Sequence, residues 1–165
     1  MTDQTARDEA EVQRFVERFA DVLANTGWPR MAARVFVALL ASDTGQMTSA
    51  ELAERLQVSP AAVSGAVRYL TQLGLASRQR EPGTRRDLYV VHDDVWYTAT
   101  LRQDQVFRSF DESLRVGVKA LGPGTRAAHR LVEVRSFFDY LGRELPKLYE
   151  QWEAQKEELI QQFMG

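Results

Sequence analysis

Two helix starts and one helix stop fall between Thr48 and Gly74, and they leave the chain little freedom in that interval. Thr48-Ser49-Ala50-Glu51 has the form of a capping box, in which a threonine hydroxyl and a glutamate carboxylate satisfy free amides at a helix N-terminus. A short helix over about 49–57 follows. Gln57-Val58 permits only a tight connection before Ser59-Pro60, which reads as an N-cap followed by proline at the first helical position. The next helix runs to Leu73, where Gly74 supplies a left-handed stop.

The flanking segments extend this frame. Residues 8–25 set Val12, Phe15, Val16, Phe19, Val22 and Leu23 at helical spacing among charged neighbours, so one face of a first helix wants burial. Thr26-Gly27-Trp28-Pro29 stops it, and Pro29 opens a second helix to about Ala41 with Ala33, Phe36, Val37 and Leu40 as its core stripe. Ser42-Asp43-Thr44-Gly45 is a turn. Beyond Gly74, the extended runs 75–80 and 87–92 flank a Pro-Gly turn at 81–86 and read as a β-hairpin. Helix returns from about Asp94 to Leu121. Gly122-Pro123-Gly124 breaks it, and Thr125 begins another helix towards Leu145, where Pro146 should kink or restart it before the stretch to Met164.

Helix, helix, tight turn, helix and hairpin in this order form a winged helix-turn-helix. The expected fold class is mainly α with a small β-hairpin wing. The winged domain covers 27–93, and a helical dimerisation region covers 8–26 and 94–164. The apolar stripes of that region, including Leu131, Val134, Phe138, Leu141, Leu148 and Trp152, exceed what a small winged domain can cover. They favour a second copy over an intramolecular bundle.

Charge is distributed to match. The chain of 165 residues carries a formal net charge of −2, yet residues 48–92 hold six arginines against four carboxylates. A basic middle with acidic flanks is compatible with a local nucleic-acid surface. The chain has no cysteine, which excludes disulfides, thiolate metal sites and a cysteine nucleophile. Two histidines, His92 and His129, offer little to a metal. No phosphate loop, metal spacing or nucleophile with a patterned histidine is present, so neither an enzyme nor a cofactor is expected. The first residues are acidic and polar, unlike a signal peptide, and no apolar run is long enough for a bilayer; a cytoplasmic, membrane-free protein is expected.

On the helix after Ser59, a 100° turn per residue groups Val63, Ala66, Val67, Leu70 and Leu73 on one side and Ala61, Ser64, Gly65, Arg68 and Gln72 on the other. Small outer residues let a helix enter the major groove closely, and Arg68 with Gln72 can donate to base edges or phosphates. Ser59 and Ser64 can bond phosphate oxygens. In the hairpin, Arg78 and Arg80 share a strand face suited to phosphates, and Thr84, Arg85 and Arg86 sit at a tip suited to a narrow minor groove. Asp87 is placed to orient Arg85 or Arg86. Each has a plainer use as well: Ser59 as a cap, Arg68 as a solubilising charge, the hairpin as a solvated loop. The competing function is a winged helix used for protein–protein contact without DNA, which would want an apolar outer face in place of Ser64, Arg68 and Gln72.

GWPRMAARVFVALL followed by MTSAELAERLQVSPAAVSGAVRYLTQLGLASRQREPGTRRDLYVV resembles the MarR superfamily of bacterial regulators. Gly27-Trp28-Pro29-Arg30 and the wing Pro82-Gly83-Thr84-Arg85-Arg86-Asp87 resemble its GbsR-like branch. The resemblance covers about residues 12–115 and is specific over 27–92. It implies a homodimer that sets two recognition helices and two wings on a pseudo-palindromic operator in double-stranded DNA. Transcriptional regulation follows, here read as repression, with a small-molecule effector in many members. No ligand site carries over residue by residue. The aromatics Trp28, Phe36, Trp96, Tyr97, Phe107 and Phe110 are candidates for a pocket between the two regions, and equally for core; nothing in the sequence identifies an aromatic cage.

Overall fold

A computed structural model of the chain describes residues 8–80, 83–84, 86–92, 94–95 and 103–164, with the backbone alone for 103–106. It divides into two compact units, Met1–Trp96 and Tyr97–Gly165.

In the first unit the elements are α1 (Glu9–Asn25), α2 (Arg30–Leu40), β1 (Gln46–Thr48), α3 (Ser49–Leu56), α4 (Pro60–Leu73), β2 (Ser77–Arg80) and β3 (Asp87–Val90). Asp8 caps α1 by accepting from the amides of Ala10 and Glu11 at 2.9 and 3.2 Å. Pro29 occupies the N-cap of α2, one position earlier than its expected place inside the helix. Helix α2 is the centre of the unit, with α1, α3 and α4 packed on it. Phe36, Leu39, Leu52, Leu56, Leu70 and Val16 are fully enclosed there. Burial of such a side chain contributes about 1.5–3 kcal/mol.

Two side chains of the expected core stripes, Leu40 on α2 and Leu73 on α4, are exposed, and so are Phe15 and Val22 on α1, whose apolar face is expected to need cover beyond the winged domain. Leu40 and Leu73 are the last residues of their helices, where the stripe runs past the neighbour that covers it. Phe15 stacks on Phe19 with ring centroids 5.9 Å apart, on a side of α1 that α2 does not cover.

The capping box forms as the sequence requires. Thr48 Oγ1 accepts from the Glu51 amide at 3.2 Å, and Glu51 Oε2 accepts from the Thr48 amide at 2.6 Å. Thr48 also ends a strand that the sequence reading missed. The sheet has three strands in the order β1-β3-β2, all antiparallel, with Met47 opposite Tyr89 and Arg78 opposite Tyr89. A three-residue strand is too short for alternation to reveal. Its approach is set by Gly45, at φ +64, whose carbonyl accepts from the Val91 amide at 2.8 Å. A side chain there would meet the Val91 carbonyl oxygen at 3.1 Å.

In the second unit α5 (Gln103–Leu121) and α6 (Arg126–Met164) pack on each other. Phe107 and Phe110 contact Phe138 with centroids 5.3 and 5.1 Å apart, and Arg135 pairs with Asp111 at 2.7 Å. The helices come close at Gly117, where a Cβ would lie 2.8 Å from Leu131 Cδ1. Thr125 caps α6 through the Ala128 amide at 3.1 Å, as expected of its start. Helix α6 does not restart at Pro146 but continues through it. Proline forfeits one backbone donor, and a helix of 39 residues retains many others on both sides. Among the described residues no helix is long and apolar enough to cross a membrane.

Removing the cap by Thr48→Ala is expected to cost about 1 kcal/mol in urea unfolding. The Glu51 carboxyl is held below the usual range, first by the Thr48 amide and then by its hydroxyl. A lowered folded-state value stabilises above the unfolded value of about 4.3 and is lost as pH falls through the folded one. The stability gap between the wild type and Glu51→Gln should therefore be constant near neutrality and close under acid; a gap that widens below pH about 4 contradicts this.

Candidate nucleic-acid interface

Helix α4 begins at a cap that works as the sequence requires. Ser59 Oγ accepts from the Ala62 amide at 3.3 Å, Pro60 holds the first helical position, and Gly74 closes the helix at φ 72. Val63, Ala66, Val67 and Leu70 are buried, which turns the opposite face outward. Ser59, Ala61, Ser64, Gly65, Arg68 and Gln72 are all exposed. Thr71, three residues past Arg68, is exposed on the same face and was overlooked in the sequence, although its spacing from Ser64 and Arg68 places it there.

Arg68 has no ion-pair partner among the described residues. Gly65 is open to solvent, with no heavy atom within 4 Å of where its Cβ would stand. Beside it runs a shallow apolar groove of about 360 Å³, lined by Pro29, Met31 and Ala32 from α2 and by Ala61, Gly65 and Tyr69 from α4.

The wing residues divide by partner. Arg78 and Arg80 lie exposed on one face of β2, in register with Tyr89 and Asp87 on β3. Arg78 Nη2 donates to Asp87 Oδ2 at 2.6 Å across the diagonal. The expected pairing of Asp87 with Arg85 or Arg86 is thus corrected for Arg86. Alternation puts Arg78 on the same strand face as Asp87, within diagonal reach of it. This bond is the first cause that lowers the Asp87 carboxyl below its usual range and raises the Arg78 guanidinium. Both are surface groups, so salt screens the pair.

Arg80 and Arg86 are exposed and form no salt bridge among the described residues. The Arg86 charge helps to lower the Glu51 carboxyl, and its amide donates to Thr84 Oγ1 at 3.1 Å. Thr84 is exposed at the turn beside Gly83. Arg85, with Glu81 and Pro82, lies outside the described residues.

The structure thus brings together a helix face of small and polar side chains and, in the same unit, a basic strand. Such a set can donate to base edges and phosphate oxygens. Among the described residues no group of His, Cys, Asp and Glu could hold a metal ion. Of the aromatics considered for a pocket, Trp28 and Phe36 pack on each other at 5.4 Å in the first unit, and Phe107 and Phe110 pack on Phe138 in the second. Trp96 and Tyr97 lie outside the described residues.

Residues 26–87 match the MarR family, and residues 94–155 match the family described as MmpR5-like MarR family transcriptional regulator. The HTH-type transcriptional regulator MmpR5 of Mycobacterium tuberculosis (strain ATCC 25618 / H37Rv) is 26% identical over 134 residues, which is 81% of this chain and 81% of that protein. The putative HTH-type transcriptional regulator YvaV of Bacillus subtilis (strain 168) is 32% identical over 94 residues, covering 57% of this chain and 52% of that protein. A crystal structure of a transcriptional regulator, 23% identical, covers 87% of this chain and 99% of its own with a TM-score of 0.79, which establishes the likeness of fold.

Because the position of a Gly65 side chain is open, Gly65→Ala is expected to raise stability by about 1 kcal/mol through helix propensity alone. Urea unfolding measures it, and a loss of stability would show that the outer face is not free.

Proposed function

We propose that this chain is a member of the MarR family of transcriptional regulators, whose models match residues 26–87 and 94–155, and that it binds double-stranded DNA sequence-specifically, as a homodimeric repressor on a pseudo-palindromic operator. The observation that carries this reading is the outer face of α4: Ala61, Ser64, Gly65, Arg68 and Gln72 all exposed, with Arg68 unpaired among the described residues. Small residues near the start of the helix permit close approach to a major groove, and the longer donors further along reach base edges or phosphates. Arg80 and Arg86 supply phosphate contacts from the wing, and Arg85 supplies the tip contact in a minor groove. Arg78 reaches a phosphate only by sharing or leaving Asp87. A protein-docking winged helix would want apolar side chains where α4 carries Ser64, Arg68 and Gln72; the apolar groove at Ala61, Gly65 and Tyr69 runs along the side towards α2.

The homodimer is supported by large apolar side chains that a single chain leaves exposed. Phe15 and Val22 on α1, and Phe137, Leu148, Trp152 and Phe163 on α6, are each 45% exposed or more. Faces of this kind need a partner, and two reading heads one helical turn apart explain why the partner is a second copy. Small-molecule modulation belongs to the same reading. A groove of about 340 Å³ between α5 and α6, walled by Phe107, Leu114 and Phe138 and edged by Arg108 and Arg143, has the size of a small-ligand site. Within the family, Gly27-Trp28-Pro29-Arg30 and the wing sequence favour the GbsR-like branch.

Selection of duplexes from a random library, followed by titration against salt, tests the reading. Affinity should fall steeply, by a slope of about 0.9 for each phosphate contacted. Arg68→Ala should relax specificity at the positions it reads, whereas Arg85→Ala should weaken all duplexes alike and reduce the salt slope by about one. Absence of binding at low salt, or a flat salt dependence, would overturn the proposal.

A further inference from the structure

The buried interior of α2 contains one long charged side chain. Seven residues of the helix, Ala32, Ala33 and Val35 to Leu39, are buried, and Arg34 lies among them with its side chain only 16% exposed. Its guanidinium is engaged through two of its three nitrogens. Nε and Nη2 donate to the Glu17 carboxylate of α1 at 2.9 and 2.6 Å, and Nη2 also donates to the Leu56 carbonyl at 2.9 Å.

Leu56 is the last residue of α3, and a helix leaves its final carbonyls without intrahelical partners. The next residue, Gln57, stands at φ 53 and is the only non-glycine with positive φ among the described residues. The chain reverses there, and Ser59 caps α4 two positions on. Arg34 therefore holds the carbonyl that immediately precedes the turn on which the direction of α4 depends. A second tie meets the same place: Arg55, in the last turn of α3, pairs with Glu9 of α1 at 3.2 Å. Two carboxylates of α1 thus grip consecutive residues at the end of α3, one directly and one through Arg34.

Stability alone does not account for this choice. Removing an arginine and a carboxylate from water is costly, and apolar replacements of such pairs are often as stable. An apolar residue at position 34 would fill α2, but it would leave the Leu56 carbonyl and Glu17 without this donor. We infer that Arg34 is a positioning residue for DNA reading: it holds the α3–α4 turn at the pitch that presents Ser64, Arg68 and Gln72 to the groove, and Glu17 couples α1 to that pitch. The inference rests on the proposed role of α4.

The test uses the full chain, a duplex enriched from a random library by the wild type, and a scrambled duplex of equal length and composition. Arg34→Met keeps the length and removes the donors. It should bind the enriched duplex about tenfold more weakly and the scrambled one within about threefold of wild type. The slope of log affinity against log salt should stay the same, because Arg34 meets no phosphate. Glu17→Gln, which keeps an acceptor but loses the charge, should fall between them, and it decides the matter if Arg34→Met fails to unfold cooperatively. An unaltered ratio of enriched to scrambled binding in the folded variants overturns the inference, as does a salt slope reduced by about one, which would make Arg34 a phosphate contact. If the wild type enriches no duplex, the reading of α4 falls first and the inference with it.

Discussion

Helix α2 is apolar on nearly every side, and a helix of that kind has to be surrounded. The first unit follows from meeting that demand. α1, α3 and α4 all pack against α2, and what each helix turns outward is whatever α2 does not claim. For α4 the claimed residues are Val63, Ala66, Val67 and Leu70, so the face with Ser64, Gly65, Arg68 and Gln72 is outward by elimination. The proposed recognition surface is in this sense a product of the core. Arg34 is where α2 makes a concession to charge, and its bonds to Glu17 and the Leu56 carbonyl pair that charge inside the unit.

Local signals in the sequence were sufficient wherever a single residue decides a backbone conformation. The box at Thr48 and Glu51, the cap at Ser59, the proline after it and Gly74 all act within a few residues, and each appears where the spacing requires it. Features that depend on register were not legible. β1 is three residues long and exists because β3 offers it an edge, and the partner of Asp87 is chosen by a cross-strand diagonal that only the sheet defines. Nothing in the local spacing singles out Arg34, because its two partners lie 17 and 22 residues away.

Helical periodicity shows that a face seeks burial without showing what buries it. Phe15 and Val22 have the same spacing signal as Val16 and Leu23, yet α2 covers only the latter pair. An apolar face left open by one chain is the surface that a second copy would close. In α6, Pro146 reads as a kink or a restart, and the restart does not occur, because one lost backbone donor does not end a helix of this length.

In the proposed complex the outer face of α4 and the wing meet DNA while α6 does not. Amide chemical shifts of isotopically labelled protein, followed as an enriched duplex is added, test it most directly. Signals of Ala61, Ser64, Gly65, Arg68, Thr71 and Gln72, and of Arg80 and Arg86 in the wing, are expected to move, with α6 beyond Pro146 unaffected. Shifts concentrated on α6, with α4 unchanged, would rule out DNA reading by α4.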